Sequence, residues 1–286
     1  MDSLRKVIQG HEIWVLAEGS HGHPGHRVAG RVFYGHAMHP DGLADLARLK
    51  ALAVGPGQET AEVSFEEGKR DFHLVVFTPE REGVWTLAVE YDVGPLVITR
   101  DGQYKRGTRR DYPDARKAAY YYQFAKTYIP VGYLGHERGH GHGHQHGYHE
   151  LADHSHCGFN QPQPVPHQHG HNHGHHHHRD GFSFLGHQLE IAAWPGFCRK
   201  GQEVTIEVRY RGLPLLDANL CTTWSFYEKR RYPYQVKTGP DGRAVIPLRA
   251  EGHWLFYVRH EDSQVAREGE YDQKIYSATL TIFGVR

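Results

Sequence analysis

The stretch Val204-Thr205-Ile206-Glu207-Val208-Arg209-Tyr210-Arg211 decides the fold. Val204, Ile206, Val208 and Tyr210 fall on one side, and Thr205, Glu207, Arg209 and Arg211 on the other, which is the period of a half-buried strand. Working outward, Leu189–Trp194 precedes it, and 219–227, 243–248, 252–260 and 275–283 follow with strand-like composition. Turn signals such as Gly239-Pro240-Asp241-Gly242 separate them. Many short strands without a long helix predict a sandwich.

The amino-terminal part reads in the same way. Glu12–Ala17, 27–35, 60–65, Phe72–Phe77, 84–91 and 96–99 are strand-like, whereas 43–52 has the composition of one short helix. Residues 118–133 hold Tyr120, Tyr121, Tyr122, Phe124, Tyr128 and Tyr133, and aromatics favour strands. Gly83-Val84-Trp85 and Gly252-His253-Trp254 echo one another across the two parts. The expected fold is therefore all-β: two immunoglobulin-like β-sandwich domains, 11–134 and 182–286, joined by a disordered His/Gly-rich loop at 135–181.

Composition bounds the function. The chain has 286 residues, with Lys plus Arg and Asp plus Glu both at 33, so the basic excess of a nucleic-acid binder is missing. No apolar run approaches the roughly 18–20 residues of a membrane helix, so no transmembrane segment is expected in this chain. Residues 1–10 carry Arg5 and Lys6 and lack the apolar region of a secretory signal. Cys157, Cys198 and Cys221 form no C-x-x-C pair; Cys198 and Cys221 read as small buried hydrophobes, with a bridge as the alternative.

Histidine is the extreme count. Sixteen of the 26 lie between His136 and His178, so the excess has a local cause. His140, His142, His144 and His146 alternate with other residues, and His171 and His173 lead into His175, His176, His177 and His178. Neutral imidazole suits nickel, cobalt, zinc and copper. Glycine between the rings lets a flexible backbone gather several around one ion. His136-Glu137-Arg138-Gly139-His140 matches H-E-x-x-H, but that zinc-protease motif needs a helix, and Gly135, Gly139, Gly141 and Gly143 oppose one. No phosphate-binding loop, nucleophile elbow or dinucleotide fingerprint is present, so no enzyme activity is expected. A second constellation lies in the first part: His11, the trio His21, His23 and His26, and the pair His36 and His39 near a strand end. His73 and His187 read as ordinary core or surface histidines.

His11-Glu12-Ile13-Trp14-Val15, Tyr34-Gly35-His36, Phe124-Ala125-Lys126-Thr127-Tyr128 and Gly186-His187-Gln188-Leu189-Glu190-Ile191 occur in that order. Gly252-His253-Trp254 and the closing Tyr276-Ser277-Ala278-Thr279-Leu280-Thr281-Ile282-Phe283 complete the set. Together they resemble the periplasmic accessory proteins of nickel and cobalt uptake systems associated with energy-coupling-factor transporters. That resemblance implies an extracytoplasmic metal-capturing protein of β-sandwich domains, with a His-x-x-Trp motif near the mature amino terminus. It makes His11 the first candidate ligand and His36 the second; residues 1–10 stand where the family has its leader.

The expected function is non-enzymatic binding of Ni²⁺, or Co²⁺, and its delivery to the membrane components of a nickel/cobalt transporter, with no nucleic-acid partner. A folded site at His11 and His36, with His39 or His260, would add selectivity to the capacity of the His-rich loop. The alternatives are a Zn²⁺-binding or buffering protein and a structural sandwich module with an incidental linker.

Overall fold

The structure, a computed structural model, describes residues 11–68, 70–132 and 184–286. The first part contributes β1 Glu12–Ala17, β2 Val28–His36, β3 His39–Gly42, β4 Leu49–Val54, β5 Thr60–Ala61, β6 Val63–Glu66, β7 Phe72–Phe77, β8 Gly83–Ile98, β9 Tyr104–Arg106 and β10 Lys117–Val131. The second contributes β11 Leu189–Trp194, β12 Glu203–Tyr210, β13 Leu213–Pro214, β14 Asn219–Trp224, β15 Tyr234–Lys237, β16 Arg243–Pro247, β17 Gly252–Asp262 and β18 Gln273–Val285. The fold is all-β, as expected. The helix expected at 43–52 is one 3₁₀ turn, Leu46–Arg48, followed by β4. Pairing of β4 with β8 outweighs the helical preference of its leucines and alanines. Among the described residues no helix is long and apolar enough to cross a membrane.

The strands form three sheets. One runs β1-β2-β7-β6 with β3 beside β2, and another joins β11, β12, β13 and β16. Between them lies a nine-stranded sheet, β15-β14-β17-β18-β10-β8-β4-β5 with β9 beside β8. Its seam is the parallel pairing of β10 with β18, from Ala119 opposite Gln273 to Thr127 opposite Thr281. The two sandwiches thus share their middle sheet, and both belong to one compact unit.

The shared strands explain why so many of their residues are apolar on both faces. On β10, Tyr121, Ala125 and Ile129 enter the first core beside Ile13, Val32 and Trp85. Phe124 and Tyr128, one step out of phase, enter the second beside Leu189, Ile206 and Trp254. The repeated Gly-x-Trp is a structural echo as well. Gly83 and Gly252 both hold positive φ, +129° and +115°. The following tryptophans each donate from Nε1 to a carbonyl four residues earlier, Trp85 to Arg81 and Trp254 to Ala250.

Strand β1 ends its sheet, yet its outer carbonyls are satisfied from the shared sheet. Gln123 donates to the His11 carbonyl at 2.6 Å, Thr279 to that of Ile13 at 2.8 Å, and Thr281 to that of Val15. Spacing by two puts successive donors and acceptors on one face of each strand. This stitching fixes the register of His11 against the shared sheet.

Both described cysteines are free and buried, and burial pushes each thiol up to about 11. They are the small core residues expected from the sequence, without a bridge.

His73 is a satisfied core histidine: the Gly68 amide donates to Nδ1 at 3.1 Å, and Nε2 lies 2.9 Å from the Ala44 carbonyl. His187 differs. It is buried against the Phe124 ring, with centroids 5.0 Å apart, Nε2 lies 3.3 Å from Glu90, and Nδ1 has no hydrogen-bond partner. Burial, opposed by Glu190 and Glu90, holds its pKa below the ordinary value. The unfolded chain therefore takes up a proton below about pH 6.5 that the folded chain resists, and stability falls with pH in that range. Thermal unfolding at pH 7.5 and 5.5 is expected to show a smaller acid loss in His187→Phe than in the parent. An equal loss in both would remove His187 from the explanation.

Candidate metal centre

The site is built where β1 begins and the β2–β3 hairpin turns. Ala37 and Met38 link the two strands with φ of +49° and +65°, the sign pattern of a two-residue type I′ hairpin. The turn places His36 opposite His39. It also returns the chain so that Asp41 reaches the end of β1, where His11 Nε2 lies 2.7 Å from Asp41 Oδ2. Both side chains are buried, at 8% and 7% exposure.

Glu12 is fully buried beside this pair. Its Oε1 accepts from the Ala37 amide at 2.7 Å and from the Tyr232 hydroxyl at 2.5 Å. Its Oε2 has no hydrogen bond, and His36 Nδ1 stands 3.6 Å from it. The His11 and His36 rings stack with centroids 6.2 Å apart, and Tyr232 meets His36 edge to face at 5.6 Å. The segment between β14 and β15 closes the cluster: Arg230 pairs with Asp41 Oδ1 at 2.7 Å, and Tyr232 stacks on Tyr257 at 5.2 Å. Burial, then the Glu12 charge, pushes the Tyr232 hydroxyl well above its ordinary range, so it stays a donor.

Of the predicted folded ligands, His11 and His36 come together. His39 stands at the same hairpin but uses Nδ1 on the Ala37 carbonyl at 2.9 Å, with Nε2 3.2 Å from the Glu228 carbonyl. His260 packs on Tyr210, with centroids 4.2 Å apart. The pocket at His11 is lined from the same strand by Tyr257 and Arg259. Alternation along a strand therefore turns His260 to the face opposite His11. His140, His142, His144, His146, His171, His173, His175, His176, His177 and His178 lie outside the described residues.

Sequence reasoning missed Glu12, Asp41, Arg230 and Tyr232. Glu12 carried a signal, a carboxylate in the otherwise apolar Glu12–Ala17 strand next to a candidate ligand. Asp41 sat in a turn-like Pro-Asp-Gly, where solvation is the ordinary reading. Arg230 and Tyr232 arrive through tertiary folding.

The donor set is two imidazoles and two carboxylates, which suits borderline divalent ions. Among the described residues no group of three or more His, Cys, Asp or Glu already stands in a metal-ligating arrangement. Adjacent ligands at ~2.1 Å from one ion are roughly 3.0–3.4 Å apart, so the His11–Asp41 hydrogen bond must open slightly to admit one.

Residues 8–145 match the family described as "Domain of unknown function (DUF4198)". No curated protein matches the chain. Among solved structures, similarity extends to FdeC, an Escherichia coli adhesin, at 13% identity over 93% of this chain and 63% of that one, with a TM-score of 0.24. The D0-D1 domain of intimin matches at 11% identity over 96% of this chain and 100% of that one, with a TM-score of 0.21. The Lin-41 filamin domain matches at 12% identity over 42% of this chain and 91% of that one, with a TM-score of 0.24.

Proposed function

We propose that this protein binds Ni²⁺ or Co²⁺ outside the cytoplasmic membrane and passes it to the membrane components of an uptake transporter. One observation carries the reading. His11, His36, Glu12 and Asp41 converge at one buried corner, and a carboxylate oxygen of Glu12 lacks a hydrogen bond there. A buried carboxylate oxygen left in that state is costly, and a cation repays the cost. The histidine-dense sequence at 135–181 supports the same reading as a source of many weaker imidazole ligands. Because ligands already held by strands need little further ordering, the folded site is the tighter class.

Calorimetric titration of the full chain with Ni²⁺, Co²⁺ and Zn²⁺ tests this. One tight class of site is expected above a weaker background. His11→Ala and His36→Ala should each weaken the tight class at least tenfold, about 1.4 kcal/mol, without lowering the unfolding temperature appreciably. If both variants keep it, the folded site is wrong. If Zn²⁺ displaces Ni²⁺ and Co²⁺ at equal concentration, the protein is a zinc binder, since imidazole and carboxylate donors alone do not separate these metals.

A further inference from the structure

We propose a second divalent-metal site, formed by His21, His23 and His26 on the loop between β1 and β2. Two independent pieces of backbone geometry bring the three rings together. His23 and His26 are the first and last residues of a turn with Pro24 and Gly25 at its centre. The His26 amide donates to the His23 carbonyl at 3.1 Å, and Gly25 has φ of +73°. Proline followed by a residue of positive φ is the type II pattern, which brings the side chains of its end residues near one another. The Gly25 amide donates to the Pro79 carbonyl at 2.7 Å, holding the turn against the sandwich.

His21 and His23 flank Gly22, which forms a parallel bridge with Val131. The Gly22 amide donates to Pro130 at 2.8 Å, and its carbonyl accepts from Gly132 at 2.9 Å. Extended backbone puts residues two apart on one face, so His21 and His23 project together. A side chain at position 22 would meet Val28 at 2.5 Å, so glycine permits the close approach.

All three histidines are exposed. The His21 and His23 ring centroids are 5.0 Å apart, and those of His23 and His26 are 6.1 Å apart. Imidazoles bound to one ion at ~2.1 Å place their ring centres roughly 4.5–6 Å apart, so ring rotation with little backbone movement converts the cluster into a ligand set. Ser20 Oγ lies 3.2 Å from His21 Nδ1, which leaves Nε2 as the nitrogen to take an ion. Three neutral imidazoles with water completing the shell select a borderline divalent cation such as Ni²⁺, Zn²⁺ or Cu²⁺. The site also stands beside Val131 and Gly132, where the chain departs for its histidine-dense segment.

Site-resolved carbethoxylation of the full chain tests this, with Ni²⁺ or Zn²⁺ raised stepwise to saturation and each modified histidine located by peptide mass mapping. His21, His23 and His26 are expected to lose reactivity together, by at least fivefold, at the same ion concentration. In His23→Ala, the protection of His21 and His26 should disappear. The proposal is overturned if the three keep their metal-free reactivity at saturation, or if the substitution leaves protection of the other two intact. His11 and His36 are read from the same maps, so failure of the buried centre is distinguishable from failure of this one.

Discussion

Lys126→Met is expected to destabilise the fold by about 3–5 kcal/mol, the range for removing one partner of a buried ion pair. Lys126 on β10 and Glu190 on β11 are 2% and 3% exposed, with Nζ 2.7 Å from Oε1. Glu190 is fixed further by the amides of Leu185 and Gly186, at 2.6 and 3.1 Å. Burial alone lowers the Lys126 pKa, and Glu190 opposes that shift. Without the ammonium, the carboxylate stays in the same dry pocket with its strongest counter-charge gone. At roughly 2–4 °C per kcal/mol for a chain of this size, the unfolding midpoint should drop by about 6–20 °C. Replacing both residues, Lys126→Met with Glu190→Leu, should recover much of the loss, because no buried charge is then left. A single variant within about 1 kcal/mol of the parent would sink the argument.

The second large effect is expected from Gly35→Ala. A Cβ at this position would stand 2.1 Å from the His39 carbonyl oxygen, 2.9 Å from Pro40 Cα and 3.0 Å from the Asp41 amide nitrogen. All three are backbone atoms of the facing strand, so no side-chain rotation relieves the clash. Gly35 lies opposite Pro40, next to an irregularity in the β2–β3 register. The methyl group can be accommodated only by moving β3 away, which withdraws Asp41 from His11. Overpacking of this kind costs about 1–3 kcal/mol, and the upper end is expected here. Denaturant unfolding gives the stability, and Ni²⁺ titration of the variant gives the second readout: weakened binding in protein that remains folded. Unchanged stability with unchanged affinity would show that the β3 hairpin is looser than the geometry requires.

Much of the strand pattern was legible from periodicity. Glu12–Ala17, Phe72–Phe77 and Leu189–Trp194 carry the bounds read from the sequence. The helix at 43–52 was misread because leucine and alanine serve both states, and the choice fell to a neighbouring strand. The shared sheet was out of reach: β10 and β18 pair across some 150 residues, and nothing local encodes a parallel register. The site was half visible. His11 and His36 stood out by residue type and spacing, whereas Glu12 was passed over although it is a carboxylate in an apolar strand. Arg230 and Tyr232 came from the far half of the chain, and His260 was lost to alternation along its own strand.

The seam between β10 and β18 has a consequence for synthesis. Strand β18 lies between β10 and β17, contributes Ile275 to the first core and caps β1 through Thr279 and Thr281. A ribosome that has delivered residues 11–132 has supplied nearly all of the first sandwich, yet not the strand that completes it. Domains ordinarily form as units while the chain emerges, amino-terminal part first. Here closure of the first sandwich waits for a strand made some 140 residues later. The nascent protein therefore stays open along β10 until translation reaches Val285, and an isolated 11–132 fragment would present that edge to any strand that finds it.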